Sequence, residues 1–371
     1  MRTGIFGGTF NPVHNEHVKI ALGAVDGLKL DRLFVVPTFL SPHKSGVQVT
    51  GEDRLAMTKL AFAKYPKITV SDYEIKKGGV SYSYMTAEHF RKEFPDDALY
   101  LIVGEDMLSD FPTWKYPERI VASVDIAVFG RENFFGEKET ESLFRERFGK
   151  NYERIPYTGK SVSSTEARIY SELSLPLSEI IPHGVEEYIK SNDLYKSNVY
   201  CEFVKKNLTQ KRLIHTAEVT ALGIDLAKKV GVSEEKTYIA CILHDCAKYL
   251  DKKDFPQFTM PKDVPKPVEH AFLGAFVAEN VLKVDDPEII DAIRFHTSGK
   301  ANMSAIGKIV FVADMLEKGR NYDGVEYLRS LLSGDFEKCF RECLSEEMKH
   351  LLSGGKEIYH KTAEACEFYL K

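Results

Sequence analysis

The chain has 371 residues, too many for one ordinary hydrophobic core, and this length predicts two or three domains. Its 43% hydrophobic and 28% charged residues are typical of a soluble globular protein, and a formal net charge of −5 argues against non-specific nucleic-acid binding. We find no stretch of the roughly 20 apolar residues that a membrane span needs and no signal peptide. The six cysteines include no Cys-x-x-Cys pair, so we interpret them as reduced thiols of a cytoplasmic protein.

The first half of the chain alternates short apolar runs with longer amphipathic segments. The apolar runs predict strands at residues 2–6, 33–36, 68–70, 98–103 and 124–129. The segments between them predict helices at residues 17–28, 53–62, 84–94 and 114–123. Because alternating strands and helices form parallel sheets, residues 1–195 are predicted to be an α/β domain with a Rossmann-like, doubly wound parallel sheet. Ligands bind such sheets beyond the C-terminal strand ends, where the strand order reverses.

From about residue 199 the strand signals disappear. Helical spacing then predicts helices at residues 218–230, 236–249, 271–281, 287–295, 304–318, 325–332 and 336–352. We therefore expect residues 198–371 to form a separate, all-α domain.

A glycine-rich loop follows the first predicted strand. The loop residues are Gly7, Gly8, Thr9 and Phe10. Glycines at a strand end let the backbone approach a ligand closely, and a helix starting near His17 directs free N–H groups and its positive dipole end to the same place. His14 and His17 can face one point from this turn. The pattern favours a phosphate site, and the spacing leaves open a plain tight turn with two partly exposed histidines.

The segment GIFGGTFNPVHNEH resembles the nucleotidyltransferase superfamily with an H-x-G-H motif, in particular the bacterial nicotinate-nucleotide adenylyltransferases. Further motifs follow in the family's order: SPHK at 41–44, RLAM at 54–57, SYS at 81–83, GED and PTW at 104–106 and 112–114, and SVSSTEAR at 161–168. The resemblance covers essentially residues 1–195. It implies transfer of AMP from ATP to the 5′-phosphate of nicotinate mononucleotide, with release of pyrophosphate and with Mg²⁺ bridging the triphosphate.

The resemblance also implies roles for individual residues. His14 and His17 would contact the ATP phosphates and stabilise the transition state, and Lys44 would neutralise phosphate charge. A second helix-start anion site would consist of Ser163, Ser164, Thr165 and Arg168. Further substrate contacts are implied for Ser81, Tyr82, Gly104, Asp106 and Trp114. Asp106 would lie on the adenosine side and Trp114 would stack on the pyridine ring, although a tryptophan in such a pattern is more often a core residue.

One position departs from the family motif. Where the family has the glycine of H-x-G-H, this chain has Glu16. A side chain here could crowd the nucleotide, and a carboxylate beside a triphosphate is unfavourable unless it points away or meets Mg²⁺.

Polar residues interrupt the apolar helices of the second half. They are His215, His244, Asp245, His270, His296 and Asp314. A single histidine on such a face is usually a satisfied core residue, whereas the adjacent His244 and Asp245 end an apolar run and need partners or a metal. Asp314 repeats this arrangement. Imidazole and carboxylate groups together suit Fe, Mn, Co or Zn.

The pattern H…HD…D resembles the HD-domain phosphohydrolases. The segments HDCAK at 244–248, HTSG at 296–299, NMS at 302–304 and ADMLEKGR at 313–320 resemble bacterial HD proteins that hydrolyse diadenosine tetraphosphate symmetrically to two ADP. This likeness spans about residues 198–371 and implies a di-iron centre.

The HD resemblance implies a ligand set for two metals. One metal would be held by His215, His244, Asp245 and Asp314. A second would be held by His270 and His296, with Asp245 as the bridge. Lys248 and Arg320 would neutralise phosphate charge, although the subfamily has proline where this chain has Lys318, which can shift the loop that carries Arg320.

The sequence therefore predicts a cytoplasmic bifunctional enzyme that acts on small-molecule nucleotides, with no nucleic-acid or membrane partner and with oligomerisation left open. One alternative treats the HD half as a nucleotide-sensing regulatory module, but a sensor needs no water-activating pair of metals. Another alternative keeps hydrolysis and changes the nucleotide.

Overall fold

The computed structural model describes residues 1–40, 49–108, 110–131, 137–159, 163–355 and 357–371. Their contacts form two compact units. Unit 1 consists of Met1–Arg168 and Pro176–Tyr195, and unit 2 consists of Ile169–Leu175 and Lys196–Lys371. The domain boundary at 195–198 stays a prediction. Unit 2 also includes Ile169–Leu175, which the prediction assigned to the first domain. Within the described residues no helix combines the length and apolarity needed to cross a membrane.

Unit 1 is built on a sheet of six parallel strands in the order β3-β2-β1-β4-β5-β6. The strands are β1 (Arg2–Gly8), β2 (Arg32–Pro37), β3 (Ile68–Val70), β4 (Ala98–Gly104), β5 (Asp125–Arg131) and β6 (Glu153–Gly159). The parallel α/β fold and the five predicted strands are confirmed. The sequence missed β6 because this edge strand alternates exposed and buried residues instead of forming an apolar run.

Nine helices accompany the sheet in the described part of the first half. They are α1 (Asn15–Gly27), α2 (Gly51–Phe62), α3 (Tyr73–Lys77), α4 (Ser83–Glu93), α5 (Glu105–Leu108), α6 (Pro117–Ser123), α7 (Glu137–Phe148), α8 (Ser164–Glu172) and α9 (His183–Ser191). The prediction that α6 starts at residue 114 was wrong, because Pro117 occupies its first turn, where the missing N–H costs no hydrogen bond. Trp114 instead ends a short 3₁₀ helix.

The strand order reverses between β1 and β4. β1 pairs with β2 on one side and with β4 on the other, so the connections leave the sheet in opposite directions from this point. Ile5 and Leu101 pair across it within a buried apolar cluster, which fixes both strands. The C-terminal ends of β1 and β4, at Gly8 and Gly104, therefore border the expected ligand crevice.

Unit 2 contains helices only, within the described residues, which confirms the all-α prediction. Beyond the end of α8, they are α10 (Val199–Asn207), α11 (Gln210–Val230), α12 (Glu234–Leu243), α13 (Glu269–Asn280), α14 (Pro287–Phe295), α15 (Ala305–Leu316), α16 (Val325–Ser330), α17 (Phe336–Ser353) and α18 (His360–Tyr369). α11 packs against α12 and α15, and α14 packs against α12, α13 and α15.

Two helix boundaries in unit 2 differ from the prediction and matter for the site. α11 begins at Gln210, capped by Thr209, so that His215 lies within the helix. α12 ends at Leu243, and residues 244–248 form turns instead of continuing the predicted helix. The turn directs His244 and Asp245 toward the neighbouring helices α11, α14 and α15.

Candidate functional sites

Two histidines cap the first helix after the glycine-rich loop. The backbone N–H of His17 donates to Nδ1 of His14 at 3.3 Å, and the backbone N–H of His14 donates to Nδ1 of His17 at 3.2 Å. Their rings stack with centroids 3.5 Å apart. The pair therefore forms a reciprocal cap of α1, with imidazoles in place of the usual hydroxyl and carboxylate.

This capping geometry decides where each imidazole carries its proton. A ring nitrogen that accepts a backbone N–H cannot itself be protonated, so the proton of a neutral ring must lie on Nε2. His14 and His17 thus both present Nε2–H donors at the N-terminus of a helix, where the backbone dipole also favours an anion.

Three side chains, from α2 and α8, hold the loop between β1 and α1. Arg54, which is 1% exposed, donates to the carbonyl of Thr9 at 2.7 Å. Arg168 donates to the carbonyl of Asn11 at 2.8 Å, and Ser164 donates to the carbonyl of Pro12 at 2.9 Å. The start of α8 thereby lies against the histidine loop, so the two predicted anion sites are brought together.

The remaining members of the predicted α8 site stabilise that helix start. Ser163 accepts the backbone N–H of Glu166 at 3.2 Å, and Thr165 accepts a hydrogen bond from Arg168 at 3.1 Å. Arg168 therefore bridges its own helix and the loop.

The two glycines of the loop have different surroundings. A Cβ on Gly8 would lie 2.9 Å from the ring of Phe10, so only glycine fits without displacing that buried ring. A Cβ on Gly7 would have nothing within 4 Å, so Gly7 borders open space. Phe10 also packs edge-on against His17, with centroids 4.9 Å apart.

Glu16 is buried and its side chain is directed toward β6. Its carboxylate is 1% exposed, accepts a hydrogen bond from the Tyr157 hydroxyl, and lies 3.6 Å from the ammonium of Lys19. A Cβ on Gly159 would lie 3.6 Å from the same carboxylate, which places it against β6. Of the two expectations for Glu16, a side chain that crowds the nucleotide and one that points away from it, these contacts favour the second.

The predicted substrate contacts lie at the C-terminal side of the sheet or near it. Ser81 accepts the backbone N–H of Phe39 at 3.0 Å, next to Tyr82, which caps α4 and lies 4.2 Å from the ammonium of Lys115. Gly104 ends β4, and Asp106 follows it on α5 with an exposed side chain.

Trp114 is half-buried. Its ring lies 5.1 Å from that of Phe111, at the edge of the sheet's apolar cluster, so part of it is a core contact as the alternative interpretation held. Lys44 lies outside the described residues.

In unit 2, the six predicted metal ligands converge from five segments of the chain. The Nε2 atoms of His215 and His244 lie 3.3 Å apart, and Nε2 of His215 lies 3.0 Å from Oδ1 of Asp314. The Nε2 atoms of His270 and His296 also lie 3.3 Å apart.

Asp245 lies between these two groups. Its Oδ2 is 3.7 Å from Nε2 of His244 and 4.0 Å from Nε2 of His215. Its Oδ1 is 3.0 Å from Nε2 of His270 and 3.6 Å from Nε2 of His296. Among the residues that the structure describes, ligand atoms close enough to share one cation occur in two sets: His215, His244 and Asp314, and His244, Asp245 and His296.

The surroundings of the imidazoles fit a metal. Nδ1 of His244 lies 2.6 Å from the carbonyl of Cys241, and Nδ1 of His296 lies 2.8 Å from the carbonyl of Ile293. A carbonyl can only accept, so each Nδ1 is protonated and each Nε2 turns a lone pair inward. Burial also lowers the pKa of His244 to about 3, which keeps it neutral.

The surroundings of Asp245 also show whether these residues fit a metal ion. Its Oδ1 is buried and accepts no hydrogen bond among the described residues. The nearest imidazole nitrogen, Nε2 of His270, lies 3.2 Å from the ammonium of Lys248, which can only donate. A buried carboxylate oxygen facing nitrogen lone pairs is stabilised by a cation, so the residues present fit a divalent metal.

Three basic side chains surround the ligand cluster, and one of them was not predicted. Arg212 donates to Oδ2 of Asp245 at 2.7 Å, and Lys248 lies 3.5 Å from Oδ1. Arg320 donates to both the carbonyl and the carboxylate of Asp314. The sequence signal for Arg212 is its position three residues before His215, one turn earlier on α11.

Glu317 is a further residue that sequence reasoning did not single out. Its Oε1 lies 3.1 Å from Nδ1 of His215, and the side chain is 4% exposed. The hydrogen bond orients His215 in the same way that carbonyls orient the other two imidazoles. Glu218 packs beside Glu317, and this burial raises the pKa of Glu218 to about 7.

The fold and the two sites define an α/β nucleotidyltransferase-type domain joined to an HD-type helical domain. The Cytidylyltransferase-like family matches residues 5–169. The HD domain family matches residues 212–319, which include all six predicted metal ligands.

Some relatives match most of the chain and others match only its first half. The chain is 28% identical over 324 residues to a Mycoplasma genitalium protein described as a probable nicotinate-nucleotide adenylyltransferase/Ap4A hydrolase, covering 86% of this chain and 88% of that protein. It is 37% identical over 202 residues to a probable nicotinate-nucleotide adenylyltransferase of Clostridium tetani, covering 53% of this chain and 99% of that protein. The chain therefore belongs to the nicotinate-nucleotide adenylyltransferase family and carries an HD domain in its second half.

Proposed function

We propose that this chain is a bifunctional cytoplasmic enzyme of nucleotide metabolism. Its first half transfers AMP from ATP to nicotinate mononucleotide, giving deamido-NAD and pyrophosphate. Its second half hydrolyses diadenosine tetraphosphate to two ADP with the help of divalent metal. The names of the relatives support both reactions, and the division of activities follows the predicted boundary at 195–198.

The observation that carries the first activity is the reciprocal cap of His14 and His17 beside the strand-order reversal. The attacking phosphate of nicotinate mononucleotide is already an anion, so the site must align it and stabilise charge, and it needs no strong base. One oxygen of that phosphate bonds to the α-phosphorus of ATP while the bond to the pyrophosphate oxygen breaks. The two Nε2–H groups donate to the oxygens on which charge accumulates.

The other predicted residues complete this proposal. Arg168, with Ser163, Ser164 and Thr165 at the start of α8, holds the triphosphate, and Lys44 neutralises its charge. Mg²⁺ enters as part of the ATP substrate. Asp106 and Trp114 act on the adenosine and pyridine sides, and Ser81 and Tyr82 contact nicotinate mononucleotide.

The observation that carries the second activity is the Asp245 carboxylate lying between four imidazoles. We propose that His215, His244, Asp245 and Asp314 hold one metal, and that His270 and His296 hold a second with Asp245 as the bridge. Bound divalent cations supply Lewis acidity toward phosphoryl oxygens and lower the pKa of water. Imidazole and carboxylate ligands suit Fe, Mn, Co or Zn, and iron is proposed among these because the resemblance to the bacterial HD proteins implies it.

The protein's own residues bind and orient the dinucleotide. A water oxygen attacks one of the two central phosphorus atoms, the central anhydride bond breaks, and two ADP leave with release of two protons. Arg212, Lys248 and Arg320 neutralise the phosphate oxygens near the cluster.

Two assays on the whole protein test the proposal. ATP with nicotinate mononucleotide should yield deamido-NAD, and diadenosine tetraphosphate with Fe²⁺ or Mn²⁺ should yield ADP alone, without ATP and AMP. His17→Ala should abolish only the first reaction and Asp245→Ala only the second. If Asp245→Ala instead changes only adenylyl transfer, the HD half is a nucleotide sensor and the second activity is wrong.

A further inference from the structure

Two segments of unit 1 carry the aromatic residues proposed to contact the pyridine end of the acceptor. The backbone N–H of Ser81 donates to the carbonyl of Leu40 at 2.8 Å, which holds Ser81 and the adjacent Tyr82 beyond the C-terminal end of β2. Trp114 follows a short 3₁₀ helix beyond the C-terminal end of β4. Because β2 and β4 lie on either side of β1, both segments border the ligand crevice.

A lysine that sequence reasoning did not single out links these two segments. Lys115 directly follows Trp114, and its ammonium lies 4.2 Å from the centroid of the Tyr82 ring. The nearest carboxylate along the chain, that of Glu118, lies 3.8 Å from the guanidinium of Arg147 instead. Lys115 is exposed and forms no ion pair among the residues that the structure describes, so its charge is available to a ligand.

The surrounding contacts fix the position of this lysine. α4 packs against α6, and Arg119 of α6 donates two hydrogen bonds to Glu88 of α4, at 2.6 and 2.7 Å. The ring centroids of Tyr84 and Tyr116 lie 5.1 Å apart, edge to face. The backbone that carries the lysine is therefore held against the start of α4.

The other charges near the Tyr82 ring do not cancel that of Lys115. A small cavity bordered by Tyr82 is lined by the carboxylate of Glu74 and the ammonium of Lys77. The carboxylate of Glu88 is bound by the guanidinium on α6. These three cations and two carboxylates leave the balance of charge in this region positive.

A positive charge at this place distinguishes between two candidate acceptors. Nicotinate mononucleotide and nicotinamide mononucleotide differ in one substituent of the pyridine ring, a carboxylate in the first and an uncharged carboxamide in the second. Stacking on an aromatic side chain cannot separate them well, because the two rings have the same shape. An ammonium attracts the carboxylate by its charge and offers the carboxamide only a hydrogen bond.

We propose that Lys115 is the residue that selects the acid over the amide in unit 1. Its ammonium binds the carboxylate of the pyridine ring, while the ring lies against Trp114 and Tyr82. The inference rests on the proposed adenylyl transfer of unit 1. It deepens that proposal by naming the group that determines which mononucleotide is accepted.

The fluorescence of the only tryptophan in the chain, Trp114, reports binding of the pyridine ring without any turnover. Lys115→Met removes the charge and keeps a long side chain, whereas Lys115→Arg keeps the charge. Lys64→Met is the matched control. Lys64 is also exposed, in the turn that follows α2, and its ammonium lies 5.3 Å from the centroid of the Tyr65 ring.

Titrations of the full chain with the two mononucleotides give two dissociation constants for each variant. We expect Lys115→Met to weaken binding of nicotinate mononucleotide about fivefold to tenfold, and that of nicotinamide mononucleotide less than about twofold. Lys115→Arg and Lys64→Met should keep the wild-type ratio of the two constants. The preference of the wild type should fall with rising salt, and that of Lys115→Met should not. In steady-state assays the loss should affect KM and not kcat.

The outcomes separate this role of Lys115 from the proposed reaction. If Lys115→Met leaves the ratio of dissociation constants unchanged, or weakens both mononucleotides equally, the role is overturned whether or not the chain forms deamido-NAD. A reduced preference in this variant, in a protein whose wild type forms no dinucleotide, supports the role and overturns the reaction. A wild type that binds neither mononucleotide overturns both.

Discussion

Replacing Glu16 by the glycine of the family motif should destabilise unit 1 and leave catalysis unchanged. The carboxylate is buried against β6, where it accepts the hydroxyl of Tyr157 and approaches Lys19 at 3.6 Å. Glu16→Gly removes these contacts and places glycine in the first turn of α1.

The contacts of Glu16 determine the expected loss of stability and the expected effect on the rate. The lost hydrogen bond costs about 1 kcal/mol, since half-buried Tyr157 regains water, and glycine costs the helix about 1 kcal/mol. A loss of about 2 kcal/mol lowers the Tm of a domain of this size by roughly 4–8 °C. If the carboxylate instead faced the triphosphate, one charge about 5 Å from another would cost about 3 kcal/mol at an effective dielectric of 20, which is more than a hundredfold in rate.

Thermal unfolding and steady-state adenylyl transfer measure the two effects separately. We expect a lower Tm for unit 1 and a kcat/KM for ATP within about twofold of the wild type, assayed well below the transition. A double-mutant cycle with Tyr157→Phe should give a coupling energy of about 1 kcal/mol. A hundredfold gain in kcat/KM on Glu16→Gly, or additive effects in the cycle, would refute the orientation described for this side chain.

Three further predictions concern single residues of the two units and the metal dependence of unit 2. Glu317→Gln should weaken Mn²⁺ binding by about 10–100-fold, because Glu317 is the hydrogen-bond partner of the proposed metal ligand His215. Glu326→Gln, on the exposed side of α16, should leave Mn²⁺ binding unchanged. Equal Mn²⁺ affinities of the two variants, measured by calorimetry, would exclude this positioning role of Glu317. Hydrogen bonds from Thr3 and Arg32 lower the pKa of Asp97 to about 2, below its ordinary 3.8. The stabilisation of the folded state by ionised Asp97 is therefore complete above about pH 4 and is lost as the pH falls through 2. The Tm difference between wild type and Asp97→Asn should vanish over that pH window. A Tm difference that stays constant with pH would contradict this role of Asp97. Stripping transition metals and assaying with excess Mg²⁺ should abolish diadenosine tetraphosphate hydrolysis and lower the Tm of unit 2, while adenylyl transfer persists; retained hydrolysis would argue against a metal-dependent reaction.

Local sequence patterns were sufficient for most of the secondary structure. The five apolar strands and the helical second half follow from spacing that each segment carries within itself. The spacing of His14 and His17 indicated that they face one point, whereas the reciprocal cap between them was found only in the structure. The edge strand β6 and the early end of α12 were missed, since exposure on one face and a site-forming turn leave no apolar period to detect.

Contacts between distant residues decided the rest. The direction of Glu16 depends on Tyr157, which is 141 positions away, and the orientation of His215 depends on Glu317, which is 102 positions away. Motif spacing shows that a carboxylate or an imidazole is present, but only the packed chain shows which atom accepts and which donates. The sequence alone therefore determined the two kinds of site, whereas the tertiary structure determined the tautomers and the bridging position of Asp245, because each depends on groups that folding brings together.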